Sequence, residues 1–188
     1  MEYYILNPIR LNRLKKLDWF KLWSTKSDYI TNYYRKIKGK YHIIDESINY
    51  YIVMLELALF YLKEYSYYDY VYIQHSIIID GQMIIKEDIK ERDFSEYIKY
   101  LFFKNNYNIK YIYDLIDKYS NRFNYYLVGV RLLYPTYYFF YLDQIIINEK
   151  ENSELIGIVK RTSEYELFVK NVINKMNEYL TKKIVLPF

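Results

Sequence analysis

Residues 48–62 read INYYIVMLELALFYL, and their apolar spacing predicts a helix at the centre of the protein. The main apolar stripe consists of Ile48, Ile52, Leu55, Leu59 and Leu62. Most of the remaining positions are apolar as well, which is typical of a helix buried on all sides. We expect Asp45 to cap the free amides of the first turn and the helix to run from Glu46 to about Tyr65.

Helical spacing also dominates the rest of the chain. Apolar residues recur at three-residue steps from Leu11 to Trp23, which predicts one long helix or two over residues 10–38, ended by Gly39. Further helices are expected at residues 93–104, 109–119, 124–134, 137–147 and 163–181. We interpret Asp93-Phe-Ser-Glu96 as a capping box at the start of the first of these. The predicted fold class is mainly α.

One segment departs from this helical pattern. β-Branched residues crowd both sides of Asp80-Gly81, a dipeptide that suits a tight turn, and this predicts one small β-hairpin near residues 71–86. No internal repeat, linker or change of composition marks a second domain. We therefore expect a single helical domain over residues 1–188, in which a basic N-terminal helical segment, residues 1–41, packs on a core formed by residues 42–188.

Composition excludes several kinds of chemistry. The 188 residues include no cysteine, which rules out disulfides, thiolate metal sites and thiol nucleophiles. The four glycines are isolated, so no phosphate-binding loop is present, and neither of the two histidines has a second histidine four residues away. We predict no metal and no cofactor. Met1–Pro8 does not resemble a signal peptide, and no membrane span is expected, so the predicted location is the cytoplasm.

Positive charge is concentrated near the start of the chain. Residues 1–41 contain ten basic and three acidic side chains, although the net charge of the whole chain is only +4. The basic surface is expected to include Arg10, Arg13, Lys15, Lys16 and Lys21. Such a surface either binds an anionic partner, such as nucleic acid or a membrane surface, or keeps an amphipathic helix solvated.

Two charges stand inside very apolar segments. Glu56 lies in the middle of the predicted central helix, and Arg131 interrupts Leu127-Val-Gly-Val-Arg-Leu-Leu133. A charge buried without a partner is costly, which suggests that Glu56 and Arg131 form an ion pair in the core. In the alternative, each side chain extends separately to the surface.

The order and spacing of five segments resemble the C-terminal lobe of the spore-coat-associated kinase-like proteins (YutH/CotS type). These proteins belong to the aminoglycoside phosphotransferase and kinase-like superfamily. The matching segments are Leu55–Leu59, His75, the hairpin, Asp88–Asp93 with the following Ser95–Lys99, and Arg131–Tyr138. The resemblance covers most of residues 15 to 180, and it rests on the order of these segments because none is diagnostic alone.

The resemblance implies a helical lobe in which the hairpin carries the catalytic loop and the metal-binding aspartate. It implies that Asp88 occupies the metal-binding position and that His75 corresponds to the catalytic-loop histidine. In the alternative interpretation both residues are purely structural, His75 as a hairpin residue and Asp88 as a turn or cap residue.

The sequence departs from the kinase pattern where catalysis needs it most. In that pattern an aspartate base follows the histidine by two residues and an asparagine follows the base by five, but Ile77 and Gln82 occupy these positions here. When the hairpin is aligned on Asp80 and Asp88 instead, Ser76 takes the asparagine position and Val71 takes the base position. Neither alignment supplies a base, and the glycine-rich cover and strand lysine of the N-terminal lobe are also missing.

We therefore expect no catalytic activity and three functions remain open. The first is a non-catalytic kinase-like domain that acts as a scaffold or protein-interaction module, with an association with the spore coat implied by the resemblance. The second is a degenerate phosphotransferase that still binds nucleotide or substrate, with His75, Ser76, Gln82 and Asp88 as vestigial site residues. The third is binding to nucleic acid or to a membrane surface through the basic N-terminal helix. A second protein is the expected partner.

Overall fold

A computed structural model describes residues 2–7, 18–65, 72–79, 82–104, 107–150 and 152–188. These residues form three strands and eight helices, so the prediction of a mainly α fold is confirmed. The elements are β1 Glu2–Asn7, α1 Trp19–Ile37, α2 His42–Glu64, β2 Tyr72–Ile79, β3 Gln82–Ile89, α3 Lys90–Phe103, α4 Ile109–Lys118, α5 Tyr125–Leu133, α6 Thr136–Asn148, α7 Ser153–Lys160 and α8 Thr162–Asn177. None of the described helices is long and apolar enough to cross a membrane.

Helix α5 lies at the centre of the helical body. All nine of its residues are buried, and it packs against α2, α3 and α8. Its Gly129 permits close approach of the C-terminal segment, because a Cβ there would lie 2.7 Å from Cδ1 of Ile184. The sequence predicted that α2 is buried on all sides. This is wrong for one face of α2, where Val53, Glu56 and Phe60 are exposed.

The predicted hairpin is confirmed and forms part of a three-stranded antiparallel sheet with the order β1-β2-β3. Strands β2 and β3 pair from Tyr72 opposite Ile89 to Ile79 opposite Gln82, so the hairpin extends slightly beyond the predicted range. The prediction that residues 1–41 are helical is wrong for β1, which pairs along the outer edge of β2. An unpaired strand edge leaves backbone N–H and C=O groups without partners, and pairing with β1 satisfies those groups along this edge of β2.

Several helix boundaries differ from the sequence expectation. Helix α2 begins at His42, so Asp45 lies inside its first turn and accepts a hydrogen bond from the Gly39 amide at 2.9 Å. Helix α3 begins at Lys90, directly after β3, with Ile89 as its N-cap. The capping-box interpretation of residues 93–96 is therefore wrong, and Glu96 lies in the body of the helix, where its carboxylate is available for tertiary contacts.

Candidate functional site

The hairpin carries the four residues that the resemblance proposes as vestiges of a catalytic site. His75 and Ser76 lie on β2, and Gln82 and Asp88 lie on β3. Because Asp88 is paired with Ile73 and side chains alternate along a strand, the register places positions 75, 82 and 88 on one face of the hairpin and position 76 on the other. The backbone therefore brings three of the four positions to a common face.

The predicted ion pair between Glu56 and Arg131 is wrong. Glu56 lies on the exposed face of α2. Arg131 is buried, and its Nε donates instead to Oε1 of Glu96, on α3, at 3.0 Å. Helix α3 rather than α2 thus presents the carboxylate that allows a guanidinium to lie in the core.

The predicted basic surface lies mostly outside the described residues. This applies to Arg10, Arg13, Lys15 and Lys16. Lys21 is described and is exposed in the first turn of α1.

Glu96 is the centre of a polar cluster between α3, α5 and α6. Its Oε1 accepts from Arg131 Nε, from Thr136 Oγ1 at 2.9 Å and from Lys99 Nζ at 3.3 Å. Lys99 Nζ also donates to Thr136 Oγ1 at 2.9 Å and to the carbonyl oxygen of Tyr134 at 2.8 Å. That carbonyl lies just beyond the end of α5, outside the helical hydrogen-bond ladder, and it also accepts from the Thr136 amide at 2.8 Å.

Burial and charge act in opposite directions within this cluster. Lys99 is only 1% exposed, and burial lowers its pKa to about 7 although the neighbouring Glu96 carboxylate favours the charged form. Burial alone would raise the pKa of Glu96, but Lys99 and Arg131 outweigh this effect and hold that pKa below its ordinary value. The cluster therefore favours the ionised form of Glu96, whereas burial makes the charged form of Lys99 less favourable than it is in water.

Arg131 also lines a cleft to which α1, α3, α5 and α6 contribute side chains. Trp19 and Trp23 project from α1 into the cleft with their rings stacked at a centroid distance of 5.3 Å. Trp23 also stacks on Tyr134, with 4.6 Å between the centroids. The Arg131 guanidinium carbon lies 4.7 Å from the Tyr134 centroid and 5.4 Å from the Trp23 centroid. The guanidinium is therefore held by cation–π contacts as well as by Glu96.

The rim of the cleft is mainly apolar. Leu22 on α1 and Phe140 on α6 both line it, and both side chains are about half exposed. Lys26 and Asp143 form an ion pair of 2.6 Å across the rim. The cleft has a volume of about 460 Å³, which lies in the ordinary range for binding sites in proteins.

The sequence did not predict the contacts of the polar cluster and the cleft. Glu96 was assigned to a helix cap, and Lys99 and Thr136 lie in segments that match the kinase-like family but received no role of their own. The lone Arg131 was the available signal, since a charge in an apolar helix requires a partner, but the sequence did not show which carboxylate meets it.

Comparison of the chain with protein-family models, with curated proteins and with solved structures gives no match. The geometry of the cleft and the sequence pattern are therefore the two sources for a functional proposal.

Proposed function

We propose that this protein is a non-catalytic, kinase-like interaction module that binds another protein through the cleft between α1 and α6. The observation that carries the proposal is the composition of this cleft. Exposed Leu22 and Phe140 surround a floor of Trp19, Trp23 and Arg131. Tryptophan, tyrosine and arginine are the residues most enriched at the energetic centres of protein interfaces.

The arrangement of polar and apolar groups supports the same proposal. An interface of this kind needs an apolar anchor site together with polar groups that fix orientation. Leu22 and Phe140 offer apolar surface that water solvates poorly, and the Lys26–Asp143 pair beside them supplies charges of both signs at 2.6 Å from each other. Burial of these two side chains by a partner would contribute favourable free energy without disturbing the core.

The non-catalytic part of the proposal rests on the sequence. Ile77 and Gln82 occupy the positions of the base and the metal-binding asparagine, so the usual contributions from positioning and charge stabilisation have no residues to supply them. Spore-coat assembly, which the resemblance implies, is a setting in which such a module would join two coat proteins.

Affinity capture with matched variants tests the docking surface. The protein and two variants, Phe140→Glu and Phe60→Glu, are used as bait in an extract of the source organism's own cells. Phe140 and Phe60 are 55% and 57% exposed, so both variants add the same charge at equally exposed positions, one on the cleft and one on α2. We expect Phe140→Glu to lose a partner that Phe60→Glu retains. Equal capture by both variants would overturn the proposal.

Nucleotide binding is the competing function, and the common hairpin face of positions 75, 82 and 88 favours it. Thermal unfolding with ATP and Mg²⁺ separates the two, because a nucleotide at one hundred times its Kd adds about 2.7 kcal/mol to the stability of the folded state. We expect no shift at millimolar ATP. A clear rise in Tm, or ATP turnover by the purified protein, would instead support a degenerate phosphotransferase.

A further inference from the structure

The Arg131 guanidinium has N–H groups that make no hydrogen bond to the described residues. The residue is only 8% exposed, yet in the part of the chain that the structure describes its side chain makes one hydrogen bond, from Nε to Glu96. Its terminal Nη1 and Nη2 groups are not sealed from solvent, and Arg131 lines the cleft. The two amino groups are therefore accessible from the cleft and have no acceptor there.

The guanidinium is contacted by aromatic rings and by Glu96, and its terminal Nη edge makes no hydrogen bond to any residue that the structure describes. The stacked rings of Trp23 and Tyr134 lie together on one side of the guanidinium, with their centroids 5.4 Å and 4.7 Å from its carbon, and Glu96 occupies the Nε position. The open edge presents two parallel N–H groups, which is the geometry that a carboxylate matches with two hydrogen bonds. Stacked rings and a bound Nε also restrict the guanidinium before any ligand arrives, which reduces the entropy lost on binding.

The Nη groups of Arg131, unbonded in the described part of the chain, favour an anion as the ligand. Three cationic side chains line the cleft, but Lys26 is paired with Asp143 and Arg92 has interactions of its own. Glu96, directly behind Arg131, partly offsets the guanidinium charge. A singly charged carboxylate suits this field better than a doubly charged phosphate, which is usually bound by a cluster of arginines.

We propose that Arg131 binds a glutamate or aspartate side chain of an acidic peptide segment in the partner protein, and that an apolar residue beside it packs on Leu22 and Phe140. This inference rests on the proposed function, because it assigns the chemistry of the partner at the same cleft. The carboxylate fixes the orientation of the segment, and the apolar neighbour contributes buried surface.

The two tryptophans make the cleft directly observable. They are the only tryptophans in the chain, and both lie beside Arg131, so intrinsic indole fluorescence reports on this site alone. The probes are three acetylated and amidated pentapeptides, ALEFA, its amide twin ALQFA and a twin with phosphoserine in the central position. Each is titrated to about 5 mM, a range that detects complexes with Kd near 1 mM, or about 4 kcal/mol.

We expect ALEFA to change the indole emission saturably and to bind at least tenfold more tightly than either twin. Phe140→Glu should weaken ALEFA binding at least tenfold, because it places a carboxylate at the rim, whereas Phe60→Glu should leave binding unchanged. Arg131→Lys keeps the charge but loses the paired N–H groups, and it should weaken ALEFA binding in the same way. If Arg131→Lys reduces folding because Arg131 is buried, Phe140→Glu, at an exposed position, still provides the test.

Several outcomes would overturn the inference. They are no change of emission with ALEFA, equal binding of ALEFA and ALQFA, tighter binding of the phosphoserine peptide, or no effect of Phe140→Glu on ALEFA. If Phe140→Glu loses the captured partner but the peptides bind alike, the docking surface remains and the carboxylate site is wrong. If ALEFA binds selectively through Arg131 but capture is unaffected, the carboxylate site remains and the proposed function is wrong.

Discussion

Helices α2 and α5 look alike in the sequence but occupy different environments. Each contains an apolar stretch interrupted by one charge, Glu56 in α2 and Arg131 in α5. Every residue of α5 is buried, whereas α2 exposes a face on which Val53 and Phe60 flank Glu56. The difference arises because Arg131 meets Glu96, a carboxylate supplied by α3, while Glu56 lies toward solvent. Apolar content alone therefore does not identify the central helix. The central helix is the one whose charged residue has a partner inside the protein.

The largest difference between the two helices is expected from truncation of an apolar side chain. Leu132 is fully buried in α5, and Leu132→Ala should reduce the free energy of unfolding by about 4 kcal/mol, from lost burial and an unfilled cavity. Val53→Ala on the exposed face of α2 should cost about 0.5 kcal/mol or less. Urea unfolding followed by circular dichroism measures both values. Similar costs for the two variants would contradict the central position of α5.

The two charges should also differ in their effect on stability. Arg131→Met removes a donor from a largely buried Glu96 and should cost about 3 kcal/mol, whereas Glu56→Gln should change stability by about 0.5 kcal/mol or less. Glu96→Gln, alone and combined with Arg131→Met, completes a double-mutant cycle. We expect a coupling energy above about 1 kcal/mol between positions 96 and 131 and additive effects at 56 and 131. Additivity at 96 and 131 would show that the ion pair does not stabilise the fold.

The polar cluster that supports α5 should make stability depend on pH. Folding lowers the pKa of Lys99 from 10.5 to about 7, so the unfolded chain binds more protons between these values and this lysine makes stability rise with pH across that window. The gain between pH 7 and pH 9 should be about 2 kcal/mol. Burial raises the pKa of Tyr51 and of Tyr134 to about 12, so above about pH 10 the trend reverses, because the unfolded chain then releases protons that the folded protein retains.

Chemical denaturation at a series of pH values checks this profile. Lys99→Met should abolish the rise between pH 7 and pH 9, and Glu56→Gln should preserve it. A rise that persists in Lys99→Met would assign the effect to another group.

The smallest effect is expected on the exposed face of α2. Phe60→Ser replaces a side chain that is more than half exposed, so it should change the free energy of unfolding by about 0.5 kcal/mol or less. Thermal unfolding provides the measurement. A fall in stability comparable with that of Leu132→Ala would mean that Phe60 is covered, for example by a second copy of the chain, and dependence of Tm on protein concentration would then identify self-association.

Local sequence patterns predicted most of the fold because helical periodicity is a local property. They predicted helices in the regions of α1 to α6 and α8, and the Asp80-Gly81 turn signal predicted the hairpin. They missed β1, because its partner strand begins some seventy residues later and pairing at that separation leaves no local trace. They also missed α7, whose eight residues are too few to form a stable helix without tertiary packing.

The site was less predictable than the fold. Arg131 was recognised as a buried charge, but its partner Glu96 is 35 residues away in the chain. From the sequence, several acidic residues are equally possible partners of Arg131. Only the packing of α3 against α5 selects Glu96. The cleft combines side chains from α1, α3, α5 and α6, and no single segment of the sequence contains it.

The contact between Gly129 and Ile184 has a consequence for protein synthesis. Ile184 is 2% exposed, and the side chain of Asn177 hydrogen-bonds both the amide and the carbonyl of Ile184. One side of α5 is thus completed by a residue that the ribosome adds more than fifty positions after Gly129. During translation that apolar side of α5 stays uncovered until residue 184 has been added, and transiently exposed apolar surface of this kind favours aggregation.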